Sequence, residues 1–192
     1  MTIKKTDYPV HNLIASRWSS RALSGEQITE QELLPLFEAA RFAPSSYNGQ
    51  PWRFLYALST DPEWPLFFNL LVPFNQEWVK NAGALILILS RCAFESNGKP
   101  SRTHSFDTGA AWMSLSLEGV SKGYIVHGME GFDYNKAKET FAIPDDYQIE
   151  AMAAIGKPGS KELLSKSLQE KEVPSPRKPL KDIVFRGSWH KI

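Results

Sequence analysis

An unbroken apolar run, Ala84 to Leu89, limits more than any other feature how this chain can fold. A short apolar run between polar residues is typical of a strand covered on both faces, so we predict a buried strand over 84–90. No apolar run in the sequence is longer, and this one is far too short to span a bilayer. Residues 1–7 are polar and lack the apolar segment of a secretion signal. We therefore expect a cytoplasmic protein that does not contact membranes.

Composition and charge narrow the class of protein. The chain has 192 residues, of which 42% are hydrophobic, enough for a sizeable core. Its 22 basic and 21 acidic residues leave a net charge of +1, which gives no reason to expect nucleic acid as a partner. The single cysteine, Cys92, excludes an intrachain disulfide and a cysteine-based metal site, and we expect it at the end of a strand. The 11 Phe, 6 Trp and 6 Tyr suit a large core, an interface or a pocket for a flat ligand.

Two helices have the clearest local signals. Thr29 and Glu32 form a capping box, and Pro35 then requires that the helix start a turn later or bend. The strongest helical pattern covers 106–122 and ends at Gly123, a suitable C-cap. We expect its buried face to be Phe106, Ala110, Met113, Leu117 and Val120. Further helices are predicted around 8–16, 66–71, 77–81 and 137–141, and further strands over 52–59 and 149–155.

The C-terminal region combines a polar stretch with a proline-rich approach to a short apolar run. Residues 160–172 are rich in Lys, Glu and Ser, and they indicate an exposed helix or a flexible linker without chemistry. Pro174, Pro176 and Pro179 then lead to a strand-like run over 182–186. Such a terminal strand pairs with a distant part of its own sheet or with a partner subunit.

Familiar catalytic motifs are missing from the sequence. The four histidines lack metal-ligand spacing, and there is no HExxH motif, nucleophile elbow or Walker loop. A GxGxxG dinucleotide motif is also absent. We therefore assign no catalytic side chain and no metal ligand. If the chain is an enzyme, a cofactor carries the difficult chemistry.

Polar segments that suit a cofactor occur at separate places. Arg17-Trp18-Ser19-Ser20-Arg21 offers two guanidinium groups and hydroxyls to a phosphate, although a solvated loop has the same composition. The segment 43–54, APSSYNGQPWRF, offers hydroxyl and amide groups to a heteroaromatic edge. Turn chemistry alone explains its Pro, Ser, Asn and Gly but not the adjacent Gln50 and Trp52. In 74–78, Asn75 is a ligand or a helix N-cap, and the glycines of 127–133 allow close backbone approach or form an ordinary loop.

In this order and spacing, these segments resemble the nitroreductase family from about Leu13 to Phe185. The Pro-Ser-Ser-x-Asn-x-Gln-Pro-Trp segment is the most specific part of the resemblance. It implies an α+β fold with a central, mainly antiparallel sheet flanked by helices, in an intertwined homodimer. It further implies a single FMN-binding domain over 1–192, whose C-terminal arm, 174–192, crosses to the partner subunit.

The resemblance also implies which residues surround the FMN. The phosphate and ribityl chain would be held by Arg17, Trp18, Ser19, Ser20 and Arg21, with Arg177 and Lys178 completing the phosphate site. A loop from the other subunit would supply Pro44, Ser45, Ser46 and Asn48, and the flavin ring would lie near Asn75, Glu130 and Gly131. Trp78 stands where some members carry a lysine near flavin N1, which leaves open what compensates the charge of the reduced flavin.

The implied activity is that of an FMN-dependent NAD(P)H oxidoreductase working by ping-pong hydride transfer. NAD(P)H would reduce the flavin at N5 and leave, and a small electron-poor acceptor such as a nitroaromatic or a quinone would take its place. An alternative is a protein of the same fold that uses FMN for flavin breakdown, storage or reductive dehalogenation. An alternative of another class is a dimeric interaction module without a cofactor.

Overall fold

The apolar run lies in the second of four antiparallel strands, and all but the last residue of that strand are buried. The computed structural model describes residue 4 and residues 6–189. In that part of the chain the strand order is β1-β2-β4-β3, with every neighbouring pair antiparallel. The strands are β1 (Trp52–Leu58), β2 (Ala84–Arg91), β3 (Ile125–Met129) and β4 (Tyr147–Gly156). The predicted α+β fold with an antiparallel sheet is therefore confirmed.

Helices cover both faces of this sheet. They are α1 (Asn12–Ser16), α2 (Glu30–Arg41), α3 (Trp64–Phe68), α4 (Pro73–Val79), α5 (His104–Ser121), α6 (Tyr134–Thr140) and α7 (Lys166–Lys171). On one face, Leu85 and Leu87 of β2 share a core with Trp78 of α4. On the other face, Ile86 shares a core with Leu115 of α5. Each of these large buried side chains stabilises the fold by roughly 1.5–3 kcal/mol, which is why β2 tolerates no polar residue along most of its length.

Helix α2 begins where its capping box predicts. The amide of Glu32 donates to Thr29 Oγ1, and the amide of Thr29 donates to Glu32 Oε2 at 2.8 Å. The helix continues from Glu30 through Pro35, so the expectation of a later start is wrong. The backbone carbonyl that loses its partner to the proline is that of Gln31, an exposed residue, where water can replace the missing bond.

The predicted buried face of α5 is right for Val120, which is buried, and wrong for Phe106 and Met113. Phe106 is 80% exposed and Met113 is 45% exposed, whereas Ala111 and Leu115 are fully buried. The face of the helix that carries Gly119 packs against β3, because a glycine lets the two elements approach closely. A Cβ at position 119 would lie 2.4 Å from Val126 Cγ2. Helix α5 therefore has a second apolar face that the single chain leaves exposed.

Other local predictions are corrected by the structure. Helix α4 begins at Pro73 with Val72 as its N-cap, so Asn75 is not a cap residue. Proline suits the first turn of a helix because its missing N–H has no partner there. Strand β3 was not predicted, and α1 is shorter than the expected helix over 8–16 because it is capped only at His11. Cys92 follows the end of β2, as expected.

The C-terminal segment does not form a strand within this chain. Leu180–Asp182 forms a 3₁₀ turn, and the residues after it are irregular, so the predicted strand over 182–186 is wrong for the single chain. Ile183 and Val184 are exposed, and in the described part of the chain they pair with no strand of the sheet. The crossing of the arm 174–192 to a partner stays a prediction, and its last residues, 190–192, lie outside the described residues, as do 1–3 and 5.

Candidate functional site

A small basic cavity lies where the segment after α1 meets the C-terminal segment. It has a volume of about 140 Å³. From the first segment, Arg17, Trp18, Ser19 and Arg21 line it, and from the second, Lys171 and Arg177 do so. Residues 17–21 and Arg177, which sequence reasoning assigned to one phosphate site, are thus brought together, except that the Ser20 side chain faces away. Lys178 is exposed beside Arg177 and does not line this cavity.

The charges around this cavity are poorly compensated. Burial, and then the nearby charge of Arg177, lower the pKa of the Arg17 guanidinium. Burial and the charges of Arg177 and Arg17 likewise lower the pKa of Lys4. The Nε of Arg21 is buried and has no hydrogen-bond partner in the described part of the chain. An anion with several acceptor oxygens would satisfy this N–H and relieve the repulsion among the cations.

A larger cavity of about 440 Å³ adjoins the basic one, and Arg17 and Ser19 line both. Its volume falls in the range of small-molecule and cofactor sites. The Oγ1 of Thr108 is buried without a hydrogen-bond partner among the described residues, and Thr108 lines this cavity. The remaining wall is formed by α5, the end of β3 and the middle of the sheet: Ile88, Ser105, Gly109, Trp112, Met113, Gly128, Met129, Glu130, Glu150 and Ala151.

One wall of the larger cavity depends on a glycine in β3. A Cβ at Gly128 would lie 2.9 Å from Cζ2 of Trp112, so a larger residue would push the indole ring. Gly128 therefore keeps Trp112 of α5 close to the sheet and shapes the cavity between them. Gly128 is one of the glycines for which the sequence predicted close backbone approach or an ordinary loop, whereas Trp112 was not assigned to the site. Ser105, Gly109 and Trp112 do share the helical spacing of one face of α5.

Asn75 and Gly131 meet beside this cavity. The Asn75 Nδ2 donates to the Gly131 carbonyl at 3.0 Å, and the amide of Val72 donates to the same oxygen at 3.1 Å. Glu130, the residue before this carbonyl, lines the larger cavity, whereas Asn75 and Gly131 line neither cavity. Asn75 is buried, so its observed contact fixes the backbone that presents Glu130.

The loop before β1 carries the other four predicted site residues, and it is strained. Tyr47, Asn48 and Gln50 have φ values of 52°, 54° and 44°, a region that side chains other than glycine rarely adopt. The Ser46 amide donates to Asp107 Oδ2 at 3.0 Å, and Ser45 Oγ accepts from the Gln50 amide at 3.0 Å. Within its own chain, none of the loop's four predicted site residues lines either cavity. These residues are Pro44, Ser45, Ser46 and Asn48.

A polar cluster that sequence reasoning missed lies at the Glu150 side of the larger cavity. Ser105 Oγ donates to Glu150 Oε1 at 2.7 Å, and Ser90 Oγ donates to the same oxygen. Because Ser90 uses its proton for Glu150, its contact of 2.7 Å with His104 Nδ1 requires that the histidine donate. The register of β2 against β4 creates this cluster, and no local sequence pattern reveals it.

His127 joins β3 to the segment that lines the basic cavity. Its Nδ1 donates to the Ser20 carbonyl at 2.9 Å, and its ring lies 4.5 Å from that of Trp78. Burial is the main cause that lowers the pKa of His127 to about 4, so the ring is neutral near pH 7. Trp78 is buried in the core and brings no charge to this region.

Comparison with known proteins identifies the family. The model of the nitroreductase family matches residues 14–63 and 59–157. The chain belongs to the nitroreductase family. A relative, protein DrgA of Synechocystis sp., is 30% identical over 161 residues, which cover 68% of this chain and 75% of DrgA.

Two further matches bear on cofactor and donor. A crystal structure of an oxidoreductase containing FMN superposes with a TM-score of 0.93 at 44% identity, covering 97% of this chain and 96% of that one. An oxygen-insensitive NADPH nitroreductase of Helicobacter pylori is 36% identical over 64 residues, 33% of this chain and 30% of that protein.

In residues 4 and 6–189, no helix has the length and apolar character to cross a membrane, and no cluster of His, Cys, Asp and Glu resembles a metal site.

Proposed function

We propose that this member of the nitroreductase family is an FMN-dependent NAD(P)H oxidoreductase. The observation that carries the proposal is the pair of adjoining cavities, one basic and one larger, that share Arg17 and Ser19. A flavin mononucleotide has the matching parts, a phosphate at the end of a flexible chain and a flat ring system. The similarity to an oxidoreductase containing FMN supports the same cofactor.

The buried groups without partners fit FMN in particular. The phosphate oxygens would accept from Arg21 Nε, and Arg17, Lys171 and Arg177 would balance the charge. Thr108 Oγ1 would bind a polar atom of the ligand in the larger cavity. The basic cavity has room for a phosphate group, and the similarity to an oxidoreductase containing FMN supports FMN as the flavin.

The protein's own part in the reaction is to bind and orient. The bound flavin would supply hydride transfer from NAD(P)H to a small acceptor, and nitroaromatics and quinones are the acceptors we propose. Trp112 and Met113 would provide apolar walls, and the backbone at Glu130 would be held in place by Asn75. We assign no side chain as the acid or base of the reaction.

We propose further that the functional unit is a homodimer. Phe42, Tyr47, Phe106 and Met113 are exposed in the single chain, with Tyr47 at 94%, and a partner subunit would cover them. The strained loop with Ser45, Ser46 and Asn48 would then reach the flavin held by the other subunit. The arm 174–192 would lie across the partner, which would bury its exposed apolar residues such as Ile183 and Val184.

A steady-state assay tests the oxidoreductase proposal. NADH or NADPH oxidation is followed with the purified holoprotein, first without an acceptor and then with menadione or nitrofurazone. We expect rapid oxidation that requires both the flavin and an acceptor, with parallel lines in double-reciprocal plots because the donor leaves before the acceptor binds. A protein that binds FMN but oxidises neither nucleotide with any acceptor would instead use the flavin for another purpose.

A further inference from the structure

We propose that Glu172 is a positioning residue for the phosphate of the cofactor. Glu172 follows α7 in a polar stretch for which the sequence predicts no chemistry, yet it is buried. In our interpretation its carboxylate holds the backbone of Ser20 to Ala22 so that Arg21 faces the basic cavity. The inference rests on the proposed function, because it assumes that this cavity binds the phosphate of FMN.

The contacts of Glu172 are directed at one short stretch of backbone. Oε1 accepts from the Arg21 amide at 2.9 Å, from the Ala22 amide at 3.1 Å and from Ser20 Oγ. Oε2 lies 3.2 Å from the Arg21 amide as well. Hydrogen bonds to a carboxylate are stronger than those between neutral groups, so this one side chain fixes the stretch firmly.

The same stretch is held from its other side by β3. His127 donates to the Ser20 carbonyl, and because this ring is neutral it donates through Nδ1 alone. The Ser20 carbonyl thus accepts a hydrogen bond from the sheet. The Ser20 hydroxyl and the amides of Arg21 and Ala22 donate to Glu172. With both sides fixed, the Arg21 side chain starts from a defined point at the cavity wall.

Glu172 also joins the two halves of that wall. Its immediate neighbours Lys171 and Val173 line the basic cavity together with Arg21. Glu172 itself does not line it but lies on the opposite side of the segment, where Ser20 and Ala22 line a separate cavity. One carboxylate therefore fixes the C-terminal segment and the segment after α1 relative to each other without touching the ligand.

The direction in which FMN affinity changes when Glu172 loses its charge distinguishes a positioning role from a purely electrostatic one. A carboxylate close to a phosphate site repels the phosphate, so removal of its charge alone would tighten FMN binding. If Glu172 acts by positioning, removal of the charge weakens FMN binding, because Arg21 loses its fixed backbone. Riboflavin, which lacks the phosphate, should be indifferent to the change.

Glu172→Gln tests this with a small change of shape: it removes the charge from the oxygen that accepts three hydrogen bonds, and it places an amide NH₂ where Oε2 lies, 3.2 Å from the Arg21 amide. We would remove flavin from the holoprotein and titrate wild type and variant with FMN and with riboflavin by flavin fluorescence. We expect the Kd for FMN to rise about tenfold or more, as loss of a charge-assisted bond implies, while the Kd for riboflavin stays within about twofold. Glu170→Gln, at an exposed acid in the last turn of α7, two residues before Glu172, is the matched control and should change neither Kd.

Each other result has a definite meaning. Tighter or unchanged FMN binding by Glu172→Gln overturns the positioning role, and so does an equal loss of FMN and riboflavin. Ser20→Ala removes one of the hydrogen bonds to Glu172, and with it the bond of 3.2 Å from the Ala22 amide to Ser20 Oγ, but it leaves the two amide bonds to Glu172 in place. A selective, smaller loss of FMN affinity is expected from it even if Glu172→Gln fails to fold. Failure of the wild-type protein to bind FMN would refute the proposed function itself, and is thus distinguishable from failure of this inference alone.

Discussion

Asn75 Nδ2 donates a hydrogen bond of 3.0 Å to the carbonyl of Gly131, which joins α4 to the loop after β3. The two residues come from separate polar segments of the sequence, and their contact fixes the backbone next to Glu130. The glycine is required by this contact, because a Cβ at position 131 would lie 2.6 Å from the same Nδ2. The requirement for glycine at position 131 therefore helps to set the position of Glu130, and with it the shape of the larger cavity.

Gly131→Ala should break this contact and displace Glu130. We expect a loss of about 1–3 kcal/mol in the free energy of unfolding, as overpacking typically costs, together with weaker FMN binding. Urea denaturation and flavin titration measure the two effects. In a double-mutant cycle, Asn75→Ala should relieve much of the cost of Gly131→Ala, since the shorter side chain removes the clash. Full additivity of the two substitutions would show that the contact does not cause the loss.

Local sequence signals predicted the parts of the fold that depend on neighbours along the chain. The capping box of Thr29 and Glu32 and the apolar strand β2 are examples, because each carries its whole signal within a few residues. The buried face of α5 was mispredicted because both of its faces are apolar, and spacing alone cannot decide which one meets the sheet. The position of Phe106 was therefore assigned to the wrong side.

Long-range contacts explain what the sequence did not reveal about the site. Arg17, Arg21 and Arg177 were predicted together from a family resemblance, and they do line one cavity. Glu172 was missed because its partners lie about 150 residues earlier and its own surroundings are an ordinary charged stretch. Glu150 was missed for a similar reason, since only strand register brings it to Ser90.

The dimer proposal predicts that damaged subunits can complement each other. One variant carries Arg21→Ala, and the other carries Ser46→Pro, which removes the amide that binds Asp107. A heterodimer then has one doubly damaged site and one intact site. After equal mixing and exchange, about a quarter of the wild-type activity should return, because half of the dimers are mixed and each has one working site. Absence of recovery, with heterodimers demonstrated by differently tagged subunits, would contradict shared sites.

His127 predicts a defined loss of stability in mild acid. Burial lowers its pKa from 6.5 to about 4, so between these values the unfolded chain binds a proton that the folded chain does not. Stability should therefore fall as the pH drops from 6.5 to 4, by up to about 3 kcal/mol from this group, and level off below. His127→Asn, which can still donate to Ser20, should lose this part of the pH dependence in urea unfolding. Identical pH slopes for wild type and variant would show that His127 titrates normally.

Truncation of the C-terminal arm should weaken dimerisation and FMN binding together. Removal of residues 179–192 would delete Ile183 and Val184, which the single chain leaves exposed. If the arm crosses to the partner, the truncated protein should dissociate at higher concentrations than the full chain and retain less FMN. Light scattering and flavin absorbance over a dilution series measure both, with removal of 190–192 alone as the control. A truncated protein that is folded, dimeric and fully loaded at every concentration would rule out this role.

The identity and amount of the cofactor test the central claim most directly. The purified protein is denatured, and the released flavin is separated by chromatography and quantified against protein. We expect FMN at one per chain after incubation with a mixture of FMN and FAD, because the basic cavity that Arg17, Arg21 and Arg177 line suits a single terminal phosphate. Stoichiometric FAD, or protein that takes up no flavin at all, would contradict it.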